Sequence, residues 1–400
     1  MELTARTPAG AALVALGERL AEDLASRAAA HDRDGTYPHE GIRALSDAGY
    51  LAAPVPAELG GLGVSSVHDV IVASGRLARG DASVAIGVNM HLVAVMALAR
   101  RWRIAAASGN ARRVGAFAQS LESVARERSV IAAAMSEPRQ DLTRPATRAT
   151  RTSDGWQIDG HKVFCTMSPA ATTLLTSVGF VDDEGVERYG YVQVPPDAPG
   201  VTIKGDWDAL GMRASGSHSI ALDGVELPAS ALRGGFRAGD TAPYLERNLP
   251  SGLFHASASL GIAEAAFARV AMPERIGDAR AEMLVAESAV DLAAARGVIA
   301  RAATLIDDHY CEHPADDGSE DEITAVFSEG QAAKAFVGEA ARRVVDRALA
   351  LSGGAGYLNG SPLARAYRDV RASAFMHPLG DNRAYGFLAR TALGLRPQLA

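Results

Sequence analysis

The sequence predicts an α+β fold in three parts: a helical N-terminal domain over residues 1–128, a central β domain over 129–232 and a C-terminal helical bundle over 233–400. Three observations predict it. Apolar residues recur with the helical period before residue 128 and after residue 233. Between those limits, β-branched runs are separated by Asp-Gly pairs, which signal turns. Strands and helices also fail to alternate, which excludes a doubly wound dinucleotide-binding sheet.

Each element has its own signal. Leu13, Leu16, Leu20 and Leu24 mark a first helix, and Pro38 opens a second that Gly49 closes. Val67, Val70, Ile71 and Leu77 mark a third, stopped at Gly80. Asp81 is an N-cap for the next helix. That helix begins with eighteen uncharged residues, 82 to 99, a length that approaches a bilayer span. Ser83, Gly87, Asn89 and His91 interrupt it, and a helix apolar on all sides is expected at the centre of a large helical domain. A fifth segment covers residues 113–128.

In the β domain, strands are expected at 156–158, 163–165, 174–181, 189–194 and 219–222. Turns are expected at 153–155, Asp159-Gly160, 182–185 and Asp223-Gly224. Helical patterns return at 253–270 and 283–306, then from Ile323 to Leu349, and the acidic residues 307–322 read as a solvated loop.

With 400 residues, 48% of them apolar, the chain can form two or three folding units. Its net charge of -7 argues against a surface that neutralises nucleic-acid phosphates or anionic lipid, so a small-molecule partner is expected. Cys165 and Cys311 are too few for a disulfide framework, and no apolar leader opens the sequence, so a cytoplasmic location is expected.

Several motifs have a plain reading beside a chemical one. Gly60, Gly61 and Gly63 do not join a strand to a helix in a βαβ unit, so they read as a turn and not a phosphate loop. His309, Glu312 and His313 have the spacing of an inverted zinc-protease motif, but they run into Pro314 and an acidic loop, so no metal site is predicted. His91, on an apolar helix, must find a polar partner. It is either a structural residue or a second catalytic candidate.

From about residue 38 to 395 the order of motifs resembles the acyl-CoA dehydrogenase superfamily. The resemblance rests on residues 56–63, on Met135-Ser136-Glu137-Pro138, on the segment from Asp159 to Thr166, and on residues 207–228. It rests also on Gly353-Gly354, followed by Arg368-Asp369 and Arg371. It implies an acyl-CoA dehydrogenase-like fold ending in a four-helix bundle, with FAD or FMN as cofactor. Met135, Ser136, Phe164, Thr166, Gly353 and Gly354 are the implied cofactor-binding residues, Phe164 covering the flavin face and Thr166 near its N5 edge. Members are usually tetramers or dimers whose flavin sites include the neighbouring subunit.

The departures from that family decide the expected chemistry. His377 stands where the family's catalytic glutamate belongs, eight residues after Asp369. Residues 272–277 lack the flavin-anchoring Arg-x-x-Phe-Gly run, Ala350 replaces a glutamine, and Gly252 replaces a CoA-contacting arginine. Ser251 occupies the position of an alternative glutamate, while Glu246 and Arg247 lie about five residues too early. The Ser215-Gly216-Ser217-His218 ending is closer to the two-component flavin monooxygenases, which include phenol hydroxylases, amine N-hydroxylases and amino-sugar nitrososynthases.

Acyl-CoA dehydrogenation needs a positioned carboxylate base. A monooxygenase instead receives flavin reduced elsewhere, by a separate reductase, and needs a group that moves a proton near neutrality, which suits histidine. The expectation is a flavin monooxygenase for a small aromatic or amine, with His377 as acid/base. The alternatives are an acyl-CoA or acyl-carrier-protein dehydrogenase with an atypical base, and a non-catalytic scaffold.

Overall fold

A computed structural model describes residues 2–138, 141–273 and 276–399. Five helices come first: α1 (Pro8–Asp34), α2 (His39–Asp47), α3 (Val67–Gly80), α4 (Ala82–Ala107) and α5 (Ala111–Arg126). Thr7 caps α1 by accepting from the Gly10 amide, and Asp81 caps α4 by accepting from the Ser83 and Val84 amides. Helix α4 is the one described helix long and apolar enough to cross a membrane, and 78% of that window is buried inside the protein. It is the centre of a helical core.

Eight strands form the middle of the chain: β1 (Ile131–Ala134), β2 (Arg148–Arg151), β3 (Gly155–Cys165), β4 (Thr173–Val181), β5 (Glu187–Val194), β6 (Val201–Ile203), β7 (His218–Pro228) and β8 (Arg233–Arg237). Their order is β6-β7-β3-β2-β4-β5-β8, with β1 pairing parallel to β4. The turns at 153–155 and 182–185 do make hairpins, joining β2 to β3 and β4 to β5.

Asp159-Gly160 and Asp223-Gly224 do not turn the chain. They lie within the long antiparallel pair β3/β7, where the register shifts between Ile158 and Gly160. The Asp159 carboxylate accepts from the Gly224 amide at 2.7 Å, and a Cβ at Gly160 would lie 2.4 Å from Thr147 Oγ1. The pairs therefore mark a bulge and a close approach, which in sequence look like turns. Strand β8 pairs with β5, so the sheet continues past residue 232.

Seven helices follow: α6 (Ala242–Arg247), α7 (Ser251–Val270), α8 (Ala279–Glu312), α9 (Glu320–Ser352), α10 (Gly354–Tyr357), α11 (Pro362–Asp369) and α12 (Asp381–Ala392). Helices α7, α8 and α9 pack on one another, and α12 lies against α9. The acidic stretch is helical at both ends, because α8 continues to Glu312 and α9 begins at Glu320. Asp307 is not a solvated charge: its carboxylate accepts from the Ser66 hydroxyl and from the Val67 and His68 amides, capping α3.

Helix α3 packs against both α1 and α7, so the two helical regions share one apolar core that includes Leu13, Val70, Leu92, Phe254 and Phe327. The sheet buries a second core around Trp156, Ile158, Val178, Val192 and Ile220. A cavity lies where the two meet.

Candidate active site

The cavity has a volume of about 340 Å³, within the range of small-molecule sites. One wall comes from the β domain. The Val163 amide donates to the Ser136 carbonyl at 2.9 Å, which joins the Met-Ser-Glu-Pro segment to the Lys-Val-Phe strand. Beneath them Lys162, fully buried, donates to the Glu137 carboxylate at 2.7 Å and to the Ser177 carbonyl at 2.8 Å. Glu137 also accepts from the Ala146 and Thr147 amides. Its ion pair with Lys162 therefore ties two sequence motifs into one support.

Above that support the backbone is held in costly conformations. Phe164, Met167 and Met212 adopt left-handed φ values of 54°, 71° and 53°, each costing about 1–3 kcal/mol. Phe164 is 60% exposed and meets Trp207 edge to face at 5.9 Å. Below it the Ser217 hydroxyl donates to Thr166 Oγ1 at 2.9 Å and lies 2.7 Å from the Ser215 hydroxyl. Gly216, at φ 56°, has no room for a side chain, since a Cβ there would lie 2.6 Å from Tyr37.

The Ser-Gly-Ser-His motif is fastened at both ends. His218 Nδ1 accepts from the Trp207 amide at 3.0 Å, and Asp369 accepts from the Met212 amide at 2.6 Å. Burial pushes the Asp369 carboxyl up to about 7. Arg368 pairs with Asp32 and reaches the Leu210 carbonyl. The Arg-Asp motif thus holds the 207–217 segment against α11.

The opposite wall is helical. His377 Nε2 lies 3.2 Å from Asn248 Oδ1 and 3.3 Å from the Tyr244 hydroxyl. The Asn248 amide nitrogen donates to the Tyr244 carbonyl at 2.8 Å, so its Oδ1 faces His377 as an acceptor. Nε2 therefore carries the ring proton, and Nδ1 keeps its lone pair. Burial, followed by the charges of Lys334 and Arg383, lowers the His377 pKa to about 3. The imidazole is neutral at physiological pH, which replaces the expectation of a group titrating near neutrality. Lys334 donates to the Met376 and Leu379 carbonyls, fixing the turn that carries His377.

His377, Met135, Ser136, Phe164 and Thr166 all line this cavity. His91 does not. Its Nε2 donates to the Leu51 carbonyl at 3.0 Å, and its Nδ1 accepts from the Ile131 amide at 3.0 Å, so both ring nitrogens serve the backbone. Gly353 and Gly354 are exposed at the end of α9 and do not line the cavity either. The turn at residues 56–63 is a turn: a Cβ at Gly61 would lie 2.3 Å from the Val55 carbonyl. Among the described residues no cluster of three or more potential metal ligands occurs. The 272–277 run includes residues 274 and 275, which lie outside the described residues.

Two further residues line the cavity that the sequence does not mark as site residues. His255, on α7, is 4% exposed and has no hydrogen-bond partner at either ring nitrogen. The signal was available, because an imidazole in an apolar helix raises the same question as His91. Arg247 sits at the end of the six-residue helix α6, too short for a periodicity signal.

The acyl-CoA dehydrogenase N-terminal, middle and C-terminal domain families match residues 14–102, 132–225 and 253–378. The amino sugar nitrososynthase DnmZ of Streptomyces peucetius is 35% identical over 97% of this chain and 95% of its own. The L-evernosamine nitrososynthase of a Micromonospora species is 32% identical over 97% of this chain and 91% of its own. The structure of KijD3 in complex with FMN and dTDP-3-amino-2,3,6-trideoxy-4-keto-3-methyl-D-glucose superimposes with a TM-score of 0.90, at 32% identity, over 99% of this chain and 97% of that one.

Proposed function

We propose that this chain, which belongs to the acyl-CoA dehydrogenase family, is a flavin-dependent monooxygenase that oxidises the amine of a nucleotide-linked amino sugar. The observation that carries the reading is His377: a neutral imidazole, its Nε2 occupied by Asn248, lining the same cavity as Phe164 and Thr166. The similarity to amino sugar nitrososynthases over nearly the full chain supports the choice of substrate.

The cavity residues fit a flavin. Phe164, Leu210 and Phe375 expose 60%, 67% and 81% of their surfaces there, an apolar opening suited to a flat aromatic ring. Met135, Ser136, Phe164 and Thr166 would hold the ring, which is FMN or FAD delivered reduced by a separate reductase. Gly353 and Gly354, exposed on the surface, would meet the flavin of a neighbouring subunit in a homo-oligomer. Reduced flavin with O2 supplies an electrophilic oxygen.

This chain's residues manage the amine. A nitrogen attacks oxygen only through a free lone pair, so its proton needs an acceptor. His377 Nδ1 accepts a hydrogen bond from the neutral amine and takes its proton as the N–O bond forms and the nitrogen becomes acidic, while Asn248 and Tyr244 keep the ring oriented. The net change is amine, O2, two electrons and two protons to hydroxylamine and water.

A dehydrogenase has less support. Gly252 stands where the CoA-contacting arginine is expected and offers no charge to a CoA phosphate. His377→Glu should accordingly produce no enoyl-CoA from an acyl-CoA.

The test supplies chemically reduced FMN, air-saturated buffer and a dTDP-linked amino sugar, and reads product mass. A product one oxygen heavier is expected. His377→Ala should fold, bind FMN normally and lose about 10²-fold in turnover. Wild-type turnover in that variant would remove His377 from the mechanism, and no oxygenated product from the unaltered protein would end the reading.

A further inference from the structure

Three arginines line the cavity, and two are already paired. Arg368 is bound to Asp32, and Arg371 to Asp346. Arg247 has no hydrogen-bond acceptor among the described residues. Its guanidinium lies 4.0 Å over the Tyr191 ring, a stacking contact that uses one face and leaves the in-plane N–H groups free. The adjacent Glu246 is bound to Arg101 and has Arg100 at 3.9 Å. Burial lowers the Arg247 pKa, with Arg101 adding to that effect and Tyr191 and Glu246 opposing it.

An unpaired cation facing an apolar cavity is costly until an anion arrives. We propose that Arg247 is an anion subsite that binds a phosphoryl group of the ligand through its paired N–H donors. Planar guanidinium matches phosphoryl oxygens with two parallel bonds, which a point charge cannot do. The location fits as well. Arg247 precedes Asn248, which orients His377, so the anion subsite borders the proposed amine-handling end of the cavity. In a sugar nucleotide, one sugar ring separates an amine from the diphosphate. The identity of that ligand rests on the function proposed above. The anion subsite itself has a second source, the phosphate of the flavin.

Calorimetry on the full chain separates these cases, with dTDP, thymidine, FMN and riboflavin titrated into the unaltered protein, Arg247→Met and Arg247→Lys. Methionine keeps the apolar stem against Tyr191, and lysine keeps the charge. In Arg247→Met, dTDP affinity should fall about 10- to 100-fold, the loss of a charge-assisted pair, with thymidine, FMN and riboflavin unchanged. Arg247→Lys should show a smaller loss in the same ligand, which keeps the test valid if the methionine variant does not fold. A loss confined to FMN, with riboflavin unchanged, also supports the subsite and assigns it to the flavin phosphate. Unchanged affinity for both dTDP and FMN in the folded variants overturns it. These readings involve no turnover, so failure to oxidise an amino sugar would leave them standing.

Discussion

The two walls of the cavity are built on opposite principles. On the β side, Thr166, Ser217, Ser215, Glu137 and Lys162 are bonded to one another or to backbone. On the helical side, His255 has no partner at either nitrogen, Arg247 has no acceptor among the described residues, and His377 keeps one lone pair free. A wall whose polar groups are already satisfied has a shape independent of ligand. A wall with unsatisfied groups is waiting for one, because buried polar atoms otherwise remain costly. The contrast assigns shape to the sheet and chemistry to the helices.

The largest effect tests the support of the β wall. Lys162→Met leaves the Glu137 carboxylate buried without its partner, and should cost about 3–5 kcal/mol in denaturant unfolding. Glu137→Gln combined with Lys162→Met should recover much of that loss. A cost below about 1 kcal/mol would mean the pair supports nothing.

A second experiment uses His91, whose burial lowers its pKa to about 4. The unfolded chain binds this proton below about 6.5 while the folded chain stays neutral, so falling pH favours unfolding through this window. The stability advantage of the unaltered protein over His91→Gln should shrink by about 3 kcal/mol between pH 7.5 and pH 4. A gap independent of pH would contradict the neutral, backbone-bound ring.

On the helical wall the same sign applies to catalysis. His377, with a pKa of about 3, stays neutral well below pH 6.5, so its protonation should produce no acidic limb in kcat/KM between pH 7 and pH 5. A limb near 6.5 that His377→Ala removes would show that the ring titrates normally.

The smallest effect compares the walls directly. Ser217→Ala removes the bonds to Thr166 and Ser215 and should cost about 1 kcal/mol of stability. His255→Leu removes a ring that bonds nothing and should cost no stability, yet raise KM for the amine substrate. Equal stability losses in both would erase the distinction between the walls.

Much of the fold was readable in advance, and the reasons are local. Helical spacing, the caps at Thr7 and Asp81, and the hairpins at 153–155 and 182–185 depend on neighbours in sequence. Where the reading failed, the partner was distant. Asp159 and Asp223 looked like turn residues because their meeting across β3 and β7 is not visible along the chain, and Asp307 looked solvated because it caps a helix 240 residues earlier. Arg247 lies about five residues too early for the family's pattern, although it lines the cavity.

The two histidines show where the division lies. The sequence alone determined the order of helices and strands, the family to which the motifs point, that His91 lies on an apolar helix, and that His377 stands in place of the family's glutamate. Only the tertiary structure decided which was free. His91 is satisfied by backbone groups 40 residues away on either side, Leu51 and Ile131, whereas His377 meets Asn248 through Nε2 and lines the cavity. Hydrogen-bond satisfaction is a property of residues brought together by folding, and no spacing along the chain encodes it.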